Sequence, residues 1–291
     1  MQLGEECRDC LYRSQSARVL NEPDSEKKER FLREIRQLTK TYPSESASPL
    51  LMRAIDRKHR EIFGHSLDYS EEKVRFNRLF LDMEEKIEDE VFHVEEPLKR
   101  AIQYARVGNL IDFAKLTVVD EGQVNRLIDI ADRQNVEEDV YLRLLNDLKE
   151  ARRLVYLLDN CGEIVFDKIL IRTIRRYYPG IFITVVVRGK EIINDVTKKD
   201  SVQVGLDRIV EVIDNGTDIP GTYLKEIGKE CREKMEKADL ILSKGLGNFE
   251  TLSGCGMNIY YMFLCKCRYF ADKFHLKQWE SVLTNERLLS F

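Results

Sequence analysis

Four short stretches of this 291-residue chain gather side chains suited to metal and phosphate chemistry. Asp159-Asn160-Cys161-Gly162-Glu163 follows an apolar run and precedes a helical pattern. Carboxylate and amide oxygens side by side suit a hard cation such as magnesium or manganese. Gly162 permits close backbone approach, and the helix start after it offers unpaired amides to an anion. The same residues could serve as a plain helix cap, so the pentapeptide alone leaves both readings open. A second run ends in Arg188-Gly189, where a guanidinium can fork onto a phosphate. Asn194-Asp195-Val196-Thr197 follows, and Asp195 supplies a third oxygen ligand if this turn folds back over the first; otherwise it is another cap. A fourth run ends in Ser243-Lys244-Gly245-Leu246-Gly247-Asn248-Phe249-Glu250. Gly245 and Gly247 free backbone amides to face an oxyanion, and Lys244 adds a point charge, although this is not a Walker loop. The fifth run ends in Cys265-Lys266-Cys267, and Lys266 brings another cation to the same edge.

Charge arithmetic links these stretches. Asp159 and Asp195 carry two negative charges and Asn160 none, so a dication leaves the set neutral. A third carboxylate at position 160 would repel a phosphate dianion at short range. With Lys244, Arg188 and Lys266 nearby, the pocket attracts a phosphate ester, which fits metal-assisted phosphoryl transfer to water. Glu163 or Asp195 could orient the water; direct attack and a phospho-aspartyl route both stay open.

The elements that must position these residues fall into two parts. From Cys10 to about Glu150, apolar residues recur at helical spacing, as in Phe31, Leu32, Ile35 and Leu38, and in Phe76, Leu79, Phe80, Met83 and Ile87. Breaks at Pro43, Pro49, Gly64 and Pro97 predict several short helices. After Ala151 come short β-branched runs at 154–158, 181–187, 209–213, 240–242 and 259–264, with helices expected at 164–178, 191–198 and 223–237. That alternation predicts a three-layer α/β/α sandwich with a mainly parallel sheet, residues 151–291, carrying the metal and phosphate site, beside a helical domain of residues 1–150. Ligands in such sheets sit beyond the carboxyl ends of the strands, where all four stretches lie.

Composition narrows the function classes. Lys plus Arg at 47 against Asp plus Glu at 51 gives a net charge of −4, which argues against a nucleic-acid partner. No apolar run approaches the roughly 20 residues that cross a bilayer, and no secretory signal opens the sequence, so no membrane association and a cytoplasmic address are expected. Seven cysteines in a chain of this length read as reduced thiols or metal ligands. Cys7, Cys10, Cys265 and Cys267 could share zinc or an iron–sulfur cluster if the amino terminus packs on the last strand, or could be structural thiols. Cys161 reads as a small packing residue. The four histidines form no ligand spacing, and His59 and His65 are expected to face solvent. The run Glu84 to Glu90 reads as a solvated helix face. The tail around Trp279 packs back on the chain or meets another subunit, and the oligomeric state is left open.

The ordered set Asp-Asn-x-Gly-Glu, Arg-Gly-x-x-x-x-Asn-Asp-Val-Thr and Lys-Gly-x-Gly-Asn-Phe-Glu resembles the metal-dependent damage-control phosphatases, long catalogued as domain of unknown function 89. Smaller members open with a Cys-x-x-Cys like Cys7 and Cys10. The resemblance covers nearly the whole chain. It implies a helical amino-terminal part beside an α/β/α sandwich. It also implies hydrolysis of small phosphorylated metabolites, such as sugar phosphates or damaged and side-product esters, with manganese, cobalt, nickel or magnesium. The metal ligands it implies are Asp159, Asn160 and Asp195; the phosphate-contacting loop falls on Lys244 and Asn248; a Gly-Asn-x-x-Asp element near the site falls on Gly108, Asn109 and Asp112. Larger relatives carry Arg-Thr-x-Lys after the last strand, whereas this chain reads Phe263-Leu264-Cys265-Lys266, so only the lysine is kept and their substrate preference does not transfer.

Two rivals come from other classes. A methyltransferase dependent on S-adenosylmethionine would need more glycine after the first strand and an acid ending the second, where Arg188 stands. A noncatalytic metabolite- or metal-binding module would bind at the same strand ends without turnover.

Overall fold

The structure is a computed structural model and describes residues 3–107, 121–265, 268–274 and 276–289. The helical half contains α1 (Glu5–Arg18), α2 (Ser25–Thr41), α3 (Ser48–Phe63), α4 (Ser70–Phe92), α5 (Pro97–Val107), α6 (Glu121–Asp132) and α7 (Glu138–Glu150). The breakers act where the sequence places them. Pro49 sits in the first turn of α3, and Gly64 closes that helix in the left-handed region at φ 86°. Pro97 is the first residue of α5.

The second half alternates β1 (Arg153–Leu157), α8 (Glu163–Tyr177), β2 (Phe182–Val187), α9 (Lys198–Gln203), β3 (Glu211–Asp214), α10 (Lys229–Glu236), β4 (Leu240–Lys244), α11 (Leu246–Leu252), β5 (Ile259–Leu264), α12 (Arg268–Phe274) and β6 (Ser281–Asn285). The strands form one sheet in the order β3-β2-β1-β4-β5-β6. All neighbours run parallel except β5 and β6. The expected α/β fold is therefore present. Its order reverses between β1 and β4, which opens a crevice beyond their carboxyl ends.

Strand alternation explains the layers. On β1, Leu154 and Tyr156 face a core with α4, α5, α7 and α8, while Val155 and Leu157 face a second core with α10, α11 and α12. A third cluster joins α1, α2 and α3. Near residue 150 the secondary structure changes but the apolar packing does not stop: Phe76, Phe80, Tyr104 and Leu144 share one core with β1 and α8. Phe80 of α4 meets Phe166 of α8 edge-on, with centroids 4.8 Å apart.

Several expectations need correction. Residues 191–197 form a loop rather than a helix; Ile193 sits at φ 39°, and backbone groups of Asn194 and Val196 bond to residues 159–161 instead of a helical ladder. The helix expected from residue 223 begins only at Lys229, after Gly228. The tail expected around Trp279 includes β6, an edge strand whose short, partly polar sequence hides its pairing to β5. His59 is buried against Phe31 and Phe63 and bonds the His65 carbonyl through Nδ1, while His65 is exposed as expected. The run 84–90 is only partly solvated: Glu84 and Glu88 pair with Lys168 and Arg172 of α8, Glu90 with Arg100 of α5, and Ile87 is buried.

Because the core crosses residue 150, the described fold should unfold as a unit. Phe80→Ala should cost about 3–5 kcal/mol in urea. Far-UV circular dichroism and Trp279 fluorescence should give coincident curves, and an early transition confined to helix content would contradict the shared core.

Candidate active site

β1 runs straight into the first candidate loop, and Leu158 still donates to the Val186 carbonyl at 3.0 Å. Gly162 then turns the chain at φ 83° into α8. A Cβ there would lie 3.0 Å from the Phe80 ring, and the Gly162 amide donates to Asn77 Oδ1 at 2.7 Å, so α4 fixes the turn from behind. The start of α8 carries no side-chain cap, so neither Asp159 nor Asn160 is held there for capping.

The second loop does fold back. The Cys161 amide donates to the Asn194 carbonyl at 2.9 Å, Val196 to the Asp159 carbonyl at 2.8 Å, and Arg188 to the Val196 carbonyl at 2.8 Å. Asn160 and Asp195 thereby face each other as a bridge pair. Asp195 does not cap α9 either; Thr197 does, in a capping box with Asp200. Lys73 of α4 clamps this loop at 2.8 Å from Asp200 and 2.5 Å from Glu191. Cys161, next to it, is buried with its Sγ 3.9 Å from the Asp195 carbonyl.

The third loop approaches from β4. Gly245 adopts φ 84°, and a Cβ there would lie 2.1 Å from Asp159 Oδ2. Gly247 has Pro220 against it, whose carbonyl would stand 2.1 Å from an added Cβ. Asn248 is buried and its amide is fully used. It donates to the carbonyls of Leu158 and Lys244 and accepts from Thr222 Oγ1 at 2.8 Å and Arg188 at 3.3 Å. It ties the loops together rather than opening to a ligand.

These loops line a cavity of about 320 Å³ with Asp159, Asn160, Asp195, Gly247 and Glu250, and Met52 of α3 also lines it. A larger cavity of about 820 Å³ runs along β6, but Arg106, its buried cation, bonds Ser281 and the Asn135 carbonyl, and among the described residues its carboxylates are Glu137 and Glu280. Arg188 and Lys244 stand behind the wall of the smaller cavity, not on it. Asn109, Asp112, Lys266 and Cys267, together with Gly108, lie outside the described residues. Cys7 is buried in the α1–α3 cluster, Cys10 is exposed, and Cys265 is buried against the sheet. Among the described residues no three His, Cys, Asp or Glu side chains form a ready metal cluster; the set at this site is two carboxylates and an amide.

Residues 4–282 match the model of the damage-control phosphatase ARMT1-like domain. The chain belongs to that family. It is 30% identical to protein MJ0202 of Methanocaldococcus jannaschii over 97% of this chain and 95% of the other. It is 32% identical to a damage-control phosphatase of Archaeoglobus fulgidus over 79% and 80%. Damage-control phosphatase PH1575 of Pyrococcus horikoshii is 35% identical over 65% of this chain and 68% of that one. The crystal structure of PH1575, a DUF89 family protein, superposes with a TM-score of 0.85 over 98% of this chain and 99% of that one, at 26% identity.

In this family member the site is electrostatically incomplete. Arg188 donates through Nε to Asp195 Oδ2 at 2.6 Å and approaches Asp159 Oδ1 at 3.6 Å. Lys244 lies 3.2 Å from Glu163 and 2.9 Å from Asp167, and Tyr156 donates to Asp167 at 2.7 Å. Burial alone would lower the Lys244 pKa, but Asp167 and Glu163 together raise it to about 12. Four carboxylates thus face two cations. Loss of water pushes Asp159 and Asp195 upward, with Asp195 and Glu163 adding to the rise at Asp159 and Arg188 opposing it at both. Asp167 rises to about 6 for the same first reason, against the pull of Lys244. The Asp195 Oδ1 and one Arg188 terminal nitrogen are buried without a hydrogen-bond partner. Sequence reasoning missed Lys73, Asn77, Tyr156 and Asp167, since a lone Lys or Asn on α4 carries no local signal; only the period of four between Glu163 and Asp167 marks a shared helix face.

Glu250 gives a measurable handle. It accepts from the amide and hydroxyl of Ser48, yet burial raises its pKa to about 7. The folded chain therefore holds this proton more tightly than the unfolded one. The contribution is fully present below the ordinary carboxylate pKa of about 4.5 and is lost as pH rises through about 7, by no more than about 3 kcal/mol. Chelator-treated protein should lose urea stability between pH 5 and 8, and Glu250→Gln should flatten that slope; an unchanged slope assigns it elsewhere.

Proposed function

We propose that the chain is a divalent-metal-dependent phosphatase that hydrolyses phosphate monoesters of small metabolites, sugar phosphates and damaged or side-product esters among them. The observation that carries this reading is one cluster in which Asp195 Oδ1 is buried without a hydrogen-bond partner and Arg188 Nη2 has only a long 3.6 Å ion pair to Asp159 Oδ1. An unpartnered buried donor or acceptor costs about 1–3 kcal/mol, so the cluster is built to be completed by something else. The acceptor calls for a cation and the donor for an anion, and a cation with a phosphate supplies both.

The donor set fits such a cation. Asp159, Asn160 and Asp195 are all oxygen donors on one cavity wall. Two carboxylates and an amide leave further positions to water and substrate, as magnesium-type sites require. Two surplus negative charges match one dication. When bound, the cation supplies positive charge against the phosphoryl oxygens as negative charge grows on them. Asp159, Asn160 and Asp195 hold it. Arg188 Nη2, which makes no hydrogen bond and stands 3.6 Å from Asp159 Oδ1, adds positive charge to the same cluster, and Lys244 adds a fixed positive field from beneath the wall. Gly245 leaves room for the Asp159 carboxylate, and Gly247 for the Pro220 carbonyl. Glu163 is buried and supports Asn160 and Lys244 instead of meeting the cavity. The relatives from Archaeoglobus fulgidus and Pyrococcus horikoshii are damage-control phosphatases by name, which supports the phosphatase part of this reading.

A screen of phosphate esters against manganese, cobalt, nickel and magnesium tests it. Phosphate release should depend on added metal and stop with chelator. Asp159→Ala should lower kcat by at least about 10²–10³-fold while the circular dichroism spectrum stays native. Gly245→Ala should lose activity comparably, because its Cβ displaces the Asp159 carboxylate. No phosphate release from any ester with any of the four cations would defeat the proposal.

A further inference from the structure

A chain of polar contacts descends from the cavity wall into the sheet. Asn160 Nδ2 donates to Asp159 Oδ2 at 2.7 Å and to Glu163 Oε1 at 2.9 Å. Glu163 Oε2 faces Lys244 Nζ at 3.2 Å, and Lys244 donates to Asp167 Oδ1 at 2.9 Å. The same Asp167 oxygen accepts from the Tyr156 hydroxyl at 2.7 Å. Tyr156, Glu163, Asp167 and Lys244 are all buried.

Three features show what the far end does. Asn160 uses both amide hydrogens within the chain of contacts, which orients its carboxamide and turns Oδ1 to the other side. Glu163 and Asp167 lie one helical turn apart on α8, so both carboxylates reach the same ammonium. Asp167 Oδ2 is buried without a hydrogen-bond partner. A carboxylate kept at that cost is retained for what its other oxygen holds.

We propose that Asp167, set by Tyr156, is a positioning residue of the site. It holds Lys244 and, through Lys244, keeps Glu163 and Asn160 in the arrangement that presents Asn160 Oδ1 and Asp159 to a divalent cation. This rests on the reading of the site as a cation-dependent phosphatase centre. Without the Asp167 charge, Lys244 has Glu163 as its remaining close carboxylate and draws it away from Asn160, whose carboxamide is then free to turn.

The test uses manganese alone as the probe, with free ion counted by electron paramagnetic resonance, on wild type, Asp167→Asn and Tyr156→Phe. Asp167→Asn should weaken manganese affinity about 10- to 100-fold, and kcat should fall with it at saturating ester while KM for the ester stays near wild type. Tyr156→Phe, which removes one hydroxyl, should shift affinity in the same direction by less. Circular dichroism after chelation confirms folding, and if Asp167→Asn does not fold, Tyr156→Phe decides. Manganese affinity equal to wild type in the folded variants overturns the proposal, even where wild type proves an active phosphatase. A wild type that binds manganese but hydrolyses nothing defeats the functional reading. A weakened affinity in Asp167→Asn then still supports the positioning role, and an unchanged one overturns it.

Discussion

The structure turns on a surplus of negative charge held in a nearly dry place. Asp159, Asp195, Glu163 and Asp167 share their space with two cations, Arg188 and Lys244. Burying like charges together is costly unless each finds a partner, and an interior cation that pairs with two carboxylates satisfies them only in part. Arg188 joins Asp195 to Asp159 across two loops and keeps them from separating. It uses Asp195 Oδ2 and leaves Asp195 Oδ1 without a hydrogen-bond partner. The same pairing explains why the loop after β2 returns over the end of β1: the Arg188–Asp195 bond and the backbone bonds of residues 194–196 close the same turn.

The fold supplies the rest of the geometry. Beyond β1 and β4 the connections diverge, and a crevice opens without any hydrophobic surface being given up. Loop residues there need a rigid back wall, and α4 provides it. Asn77 bonds the Gly162 amide, Phe80 fills the space a side chain at residue 162 would take, and Lys73 pins Asp200 and Glu191. One helix of the amino-terminal half thus fixes both carboxylate-bearing loops.

What was legible in the sequence follows from this division of labour. Strand ends announce themselves through apolar runs, and oxygen donors at those ends point to the crevice, so Asp159, Asn160 and Asp195 could be grouped before any coordinates. Gly64 is legible as a break, and Gly245 and Gly247 as amides open to an oxyanion, but the strictest use of a glycine, the contact of Gly245 with Asp159, depends on a loop from another strand and leaves no local mark. The loop at 191–197 looked helical because its local pattern does not reveal that its backbone partners sit at residues 159–161. Arg188, Lys244 and Asn248 were recognised as important types, yet burial assigns them to holding carboxylates and loops in place rather than lining the cavity. Composition cannot tell a cation that faces a ligand from one that faces a neighbouring acid.

The cavity itself is a joint product of the two halves, which bears on what can enter it. The strand-end loops contribute the carboxylates to its lining, and the helical half contributes Leu11 of α1 with Ser48, Pro49 and Met52 of α3. α3 is tied to the sheet side by Ser48 to Glu250 and by Arg53 and Arg57 to Asp218 and Glu226. Arg53 and Asp218 are mostly buried, so these pairs are screened less than surface ones and hold α3 at a set distance. A cavity of about 320 Å³ is of the size that takes a small molecule. Pro49, Met52 and Leu11 add apolar surface to the lining of this cavity. On the proposed reading, selectivity among esters would reside in the helical half and the charge that recognises phosphate at the ends of the strands.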